Sequence, residues 1–305
     1  MPRLVRLVLP EERTTYHIIS RTALDGLPFK HHEKDQLVQI IRRFSSIFFV
    51  DVLGYAVMGN HFHLLARIYP ESMATDAEVR RRYHVLYGYK HPFPESRLQE
   101  LKQRFCSLSS YVKEIKQTFS TWYNSEKKRR GTLWGERFKS VIVQGGNAAR
   151  HCLAYIDLNP VRAGIVKRPE AYRWCSMGYH AGTGNSDGFL TCDFGWDEEQ
   201  GSQREWLRSY RDYLYHIGRV EKQGKARLAD EIFEEARQKD FDFSHRDRFC
   251  QHTRYFTEGA IMGSRSFVLV VSRRLKGAFQ TKTDKIPRPV RGLEGIYSIK
   301  RFREG

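Results

Sequence analysis

The order of hydrophobic patterns over the first 180 residues reads β-α-β-β-α-β-α. That order predicts an α+β fold: a ferredoxin-like four-stranded antiparallel sheet with packed helices, followed by a mostly helical basic C-terminal region. Three observations carry the prediction. Short runs rich in β-branched and aromatic residues alternate with stretches of helical periodicity. Two of those runs are joined by a tight Gly-Asn turn, as in a hairpin. A hydrophobic fraction of 40% and an aromatic fraction of 13% in 305 residues supply a packed core.

The elements follow in chain order. Residues 14–22, TTYHIISRT, predict the first strand. After the turn LDGLPF, Leu37, Ile40, Ile41 and Phe44 fall at i, i+3, i+4 and i+7, the spacing of an amphipathic helix. FFVDVLGYAVM is the second strand, Gly59 and Asn60 make the turn, and HFHLLARI returns as the third. Residues 69–100 are polar and carry Pro70, Pro92 and Pro94, which predicts a surface excursion. Leu108, Val112, Ile115 and Phe119 then mark one long helix from about Leu101 to Asn124. RFKSVIVQ (137–144) is the fourth strand. GGNAARHCLAYIDLNPVRAG is a turn and a helix, with Asn147 expected to cap it and Pro160 to stop it. Residues 181–203 form a Gly-, Ser- and Asp-rich connector. The accessory region, 204–305, contains two expected helices, REWLRSYRDYLYHI and ARLADEIFEEARQK. The apolar runs SIFFV and SFVLVV are strand-sized, and none approaches membrane-spanning length.

Charge points toward a partner. Lys and Arg total 52 against 35 Asp and Glu, a net +17. Such a surplus suits a polyanion, most simply nucleic acid, although it also serves plain solubility. Cys106, Cys152, Cys175, Cys192 and Cys250 are scattered and form no C-x-x-C unit. That argues against a disulfide framework or a cysteine zinc site and for a reducing compartment. Charges come too early in MPRLVRLVLPEERTTYHIIS for a signal peptide, so a cytoplasmic protein is expected.

Two local patterns invite chemistry. In YAVMGNHFHLLAR, His61 and His63 lie one residue apart on a strand, so both rings project from one face while Phe62 and Leu64 point into the core. They are either satisfied polar residues of a half-buried sheet or two arms of a metal site. In NAARHCLAYIDLNP, Ala149, Cys152, Leu153 and Ile156 form an apolar stripe, and His151, Tyr155 and Asn159 share a face roughly opposite. Taken alone, Tyr155 reads first as an edge aromatic, and Asn159 as a helix C-cap before proline. His151 is either a solvated histidine or an aid to the tyrosine.

Taken together and in order, YAVMGNHFHLL, GTLWGERFKS, AYIDLNPVRAGIV and YRWCSM resemble the single-tyrosine HUH transposases, most closely the REP-associated tyrosine transposase branch. The resemblance spans about residues 10–180. It departs from the family at Gly59, where proline is commoner, and in the longer 69–100 connection. It implies that His61 and His63 are the metal-binding pair, that Tyr155 is the nucleophile and that Asn159 is a third, amide ligand. It further implies Mg²⁺ or Mn²⁺ as cofactor, hairpin-forming single-stranded DNA repeats as substrate, a possible homodimer, and a bacterial, nucleoid-associated location. Those residue types fit phosphodiester chemistry, since a cation must offset the anionic phosphate before an oxygen nucleophile can approach. Tyr111 and Tyr123, on the preceding long helix, are nominal rivals to Tyr155.

DNA contacts are expected from NSEKKRRGTLWGERFKS: Lys127, Lys128, Arg129 and Arg130, then Arg137 and Lys139, with Trp134 as a stacking platform or a core residue. Arg162 and Arg21 are weaker candidates. Residues 1–180 are thus expected to form the nuclease domain and 204–305 to add DNA affinity. Two rivals remain at this point: a nucleic-acid-binding sheet without chemistry, and a hydrolase in which water attacks.

Overall fold

In the computed structural model, residues 7–194, 203–220, 224–238, 259–275, 286–290 and 295–300 are described. The first half runs β1 (Thr14–Arg21), α1 (His31–Ser45), β2 (Val50–Val57), β3 (His61–Ile68), α2 (Asp76–Tyr87), α3 (Leu98–Phe105), α4 (Leu108–Glu126) and β4 (Lys139–Val143). The second half adds α5 (Asn147–Asp157), α6 (Asn159–Arg162), α7 (Ser176–Thr183), α8 (Gln203–Arg219), α9 (Asp230–Arg237), β5 (Gly259–Gly263), α10 (Arg265–Arg274), β6 (Arg288–Pro289) and β7 (Tyr297–Lys300).

Among the described residues, seven strands form one mixed sheet ordered β2-β3-β1-β4-β5-β7-β6. The pairs are antiparallel except β4 with β5. The sheet expected to have four strands therefore has seven among the described residues, because the accessory region contributes β5, β6 and β7 beyond β4. That region is not simply helical. SFVLVV lies within α10 rather than in a strand: Ser264 Oγ accepts from the Phe267 N–H and starts the helix, which then buries Val268 and Val271.

Three further expectations change for local reasons. The polar excursion contains α2, started by Thr75 Oγ1, which accepts from the Glu78 N–H. The single long helix is two, because Ser107 Oγ accepts from the Ser110 N–H and opens α4 afresh. Asn147 is the first residue of α5 and its side chain caps nothing; Pro160 sits in the first turn of α6, where its missing N–H is harmless.

The sheet has two contrasting faces. Tyr16, Ile18, Phe62 and Leu64 are buried on one, against Phe29, Phe119 of α4 and Trp134. On the other face α5 lies close over β2, since Gly54 leaves room where any Cβ would collide with the Leu153 side chain. A β-bulge between Val52 and Gly54 falls at that point. Cys106, Cys152, Cys175 and Cys192 are free thiols; Cys250 lies outside the described residues. No helix among the described residues is long and apolar enough to cross a membrane.

Candidate active site

The hairpin sets the histidines. Met58 N–H donates to the His61 carbonyl across Gly59 and Asn60, and a Cβ at Gly59 would press on Leu27. In the β1–β3 register, Ile19 faces His63, Arg21 faces His61 and His17 faces Leu65, so all six project from one side of the sheet. The His61 and His63 ring centroids lie 5.0 Å apart. His61 Nδ1 is 2.8 Å from Asn60 Oδ1. His63 Nδ1 is 3.0 Å from Nε2 of His17, a fully buried residue of β1.

Burial pushes His61 down to about 4, helped by the charges of Arg21 and Lys225. His63 is pushed well below the usual imidazole range by burial first, then by His61 and His17. Both rings are therefore neutral at neutral pH, the form that ligates metals.

Tyr155 closes the cluster. Its ring stands perpendicular to His63 with centroids 5.6 Å apart, and 5.9 Å from His17. Burial raises its phenol to about 12, while the Arg162 guanidinium and the Asn159 amide act in the opposite direction. Asn159 Nδ2 donates to the Tyr155 carbonyl at 2.9 Å, so it caps the end of α5 and keeps Oδ1 as its acceptor. The C-cap role is thus present, and it leaves an amide oxygen one turn beyond the tyrosine.

α5 is buried on all sides, not along one stripe. Asp157 accepts from Ser176 Oγ (2.8 Å), the Met177 N–H (3.0 Å) and Tyr210 Oη of α8 (2.7 Å). His151 is not solvated: it is buried and hydrogen-bonded to Tyr213 of α8. The accessory region thus clamps the helix that carries Tyr155. Tyr111 and Tyr123 are buried core residues, Tyr111 against Ser45 Oγ.

The basic stretch reaches the same end of the sheet. Ala23 N–H and Thr22 Oγ1 donate to the Leu133 carbonyl, and Gly135 N–H donates to that of Arg21. Lys139 pairs with Ile19, which pairs with His63, so Lys139 emerges on the histidine face. Lys128, Arg130, Arg137 and Lys139 are exposed. Lys127 is held by Glu33 at 2.6 Å, and Arg129 by Asn124 Oδ1 at 2.7 Å. Trp134 is no stacking platform. It is 8% exposed, packs among Phe29, Phe62 and Phe119, and donates its indole N–H to the Lys116 carbonyl.

The structure therefore brings together His61, His63 and Tyr155, with Asn159 and Arg162 beside the tyrosine. It adds His17 and Lys225, which the sequence reading missed. His17 had one readable signal, an imidazole flanked by Tyr16, Ile18 and Ile19 in the middle of a strand. Lys225 had none. Among the described residues, no three His, Cys, Asp or Glu side chains are grouped so that they could hold a metal ion.

No family model matches the chain. No curated protein matches it either. Among solved structures it is similar to a REP-associated tyrosine transposase bound to a REP hairpin, at 16% identity, covering 66% of this chain and 96% of that one, with a TM-score of 0.41.

Proposed function

We propose that this protein is a metal-dependent single-stranded DNA transposase or endonuclease that cuts and rejoins hairpin-forming repeats through a 5′-phosphotyrosine intermediate. Its first four strands, ordered β2-β3-β1-β4, serve as a ferredoxin-like HUH core. Residues 1–180 are the catalytic part, 181–203 a connector, and 204–305 an accessory part that buttresses α5 and adds DNA affinity. The observation that carries the reading is the placing of the Tyr155 ring 5.6 Å from His63, itself 5.0 Å from His61, within one chain.

The donor set suits a divalent ion such as Mg²⁺ or Mn²⁺. Two neutral imidazoles have their Nδ1 atoms occupied and Nε2 atoms available, and the Asn159 Oδ1 is the nearby amide oxygen. An ion held there would neutralise and polarise a nonbridging phosphate oxygen. The chain's own residues do the rest. Arg162 favours the phenolate of Tyr155, whose oxygen attacks phosphorus. The bond to the 3′ oxygen breaks, and the proton lost by the phenol is balanced by the one gained by the new 3′-hydroxyl. The aryl phosphodiester stores the bond energy, so the reverse attack rejoins DNA. Arg21, Lys139 and Lys225 line the approach for the backbone.

The test is incubation with Mn²⁺ and labelled single-stranded hairpin DNA, followed by a denaturing protein gel. The proposal expects a covalent adduct that Tyr155→Phe abolishes. Free cut DNA from both proteins would instead indicate attack by water, and binding without cutting would leave a nucleic-acid-binding module.

A further inference from the structure

We propose that His17 is a positioning residue for His63: it accepts the hydrogen of His63 Nδ1 and thereby fixes the tautomer in which His63 Nε2 carries the free lone pair. The inference rests on the metal-dependent reading above.

A buried imidazole in mid-strand is disfavoured unless its polar atoms are partnered. His17 is 0% exposed at a position where valine or isoleucine would pack without a polar atom. Its partner is specific. Nε2 lies 3.0 Å from His63 Nδ1, with the two ring planes 19° from parallel and their centroids 5.2 Å apart. The β1–β3 register places His17 opposite Leu65 and Ile19 opposite His63, so the bond joins diagonal neighbours on one face.

A neutral imidazole has one donor and one acceptor nitrogen, so this hydrogen bond can run in only two ways. If His17 Nε2 donates, the remaining proton of His63 sits on Nε2 and blocks ligation there. If His63 Nδ1 donates, Nε2 is open.

His61 shows which arrangement the hairpin is built for. Its Nδ1 faces Asn60 Oδ1, and the Asn60 amide is oriented by its Nδ2, which donates to the Gly26 carbonyl at 3.1 Å. An amide oxygen only accepts, so His61 Nδ1 carries the proton and Nε2 the lone pair. His17 gives His63 the same polarity from the opposite strand. Tyr155 packs over both His17 and His63, shielding the bond from water.

The experiment begins with the metal-free full chain, labelled with ¹⁵N-histidine, at neutral pH. His63 is expected as the Nδ1–H tautomer, and His17→Leu is expected to move it toward Nε2–H. Calorimetric titration with Mn²⁺ follows. His17→Leu is expected to bind about 10- to 100-fold more weakly, and His17→Gln, whose amide oxygen can accept the same hydrogen, to recover most of the loss. Metal-free hairpin binding should match the parent for every folded variant. His63 found as Nε2–H in the parent, or a folded His17→Leu that binds Mn²⁺ like the parent, overturns the role of His17 alone. A parent chain that takes up no Mn²⁺ overturns the metal reading itself. Should His17→Leu fail to fold, the parent tautomer and the His17→Gln titration still decide.

Discussion

β1 and β3 present two faces made of the same backbone and adjacent residues, yet the faces are chemically opposite. Tyr16, Ile18, Phe62 and Leu64 meet Phe29, Phe119 and Trp134 in an interior that is almost wholly apolar. One residue along, His17 and His63 are buried beneath the buried Tyr155 of α5 and His61 is half-buried, but each carries a polar atom that must be satisfied. The first face stabilises by area. The second gives up some of that gain to hold neutral imidazoles and a phenol in fixed relation. The period of two in a strand lets one pair of strands supply both without compromise.

Substitutions on the two faces should separate activity from stability. His63→Ala is expected to remove Mn²⁺-dependent adduct formation by at least ~10³-fold while changing stability by only about 1–2 kcal/mol, with hairpin binding retained. His61→Ala should behave likewise. Phe62→Ala, between them in sequence, should do the reverse. It opens a cavity beside Trp134 and is expected to lower unfolding free energy by about 3–5 kcal/mol in a denaturant melt. The adduct yield per folded molecule should survive. Equal loss of activity from Phe62→Ala and His63→Ala at temperatures where both are folded would erase the distinction.

A third measurement concerns what holds α5 over the polar face. Asp157 is fully buried, and burial raises its carboxyl from 3.8 to about 6 despite the three donors around it. Its folded pKa thus lies above the unfolded one, so between about pH 4 and pH 6 the folded state holds more protons. Stability from this group is complete below the lower value and is lost as pH rises through the upper, on the order of 3 kcal/mol in all. Asp157→Asn removes the titration. Thermal melts from pH 4 to 7 should show that the parent loses stability relative to the variant as pH rises; superimposable profiles would remove Asp157 from the account.

Much of the polar face was legible in the sequence because it depends on short spacings. His61 and His63 share a face through the strand period, and Tyr155 and Asn159 through the helical one. The bond between His17 and His63 was not legible, because it depends on the β1–β3 register, which pairs residues 46 apart. The burial of His151 was not legible for a similar reason: α8, some sixty residues on, covers that side of α5. α2 hid behind its polar composition, although Thr75 followed by Glu78 is a helix-start signal. The extra strands β5, β6 and β7 are two to five residues long and carry no alternating pattern long enough to read.

The smallest expected effect tests whether DNA follows the polar face at all. Lys139 and Lys127 were equal members of one basic run in the sequence, but the structure separates them. Lys139 is exposed and, through Ile19, lies in register with His63. Lys127 is 2.6 Å from the nearly inaccessible Glu33 carboxylate, which raises the ammonium's pKa and fixes it at the N-terminus of α1. A phosphate tracking past the histidines would meet Lys139 and find Lys127 already paired. Hairpin affinity measured against salt should therefore respond differently to the two changes. Lys139→Gln is expected to reduce the slope of log K against log salt by about 0.7, the value for one single-strand phosphate contact. Lys127→Gln should leave the slope nearly unchanged and instead lower stability, by stranding Glu33. The opposite result would place the backbone path along the ends of α1 and α4, and the polar face would then have to receive its phosphate from another direction.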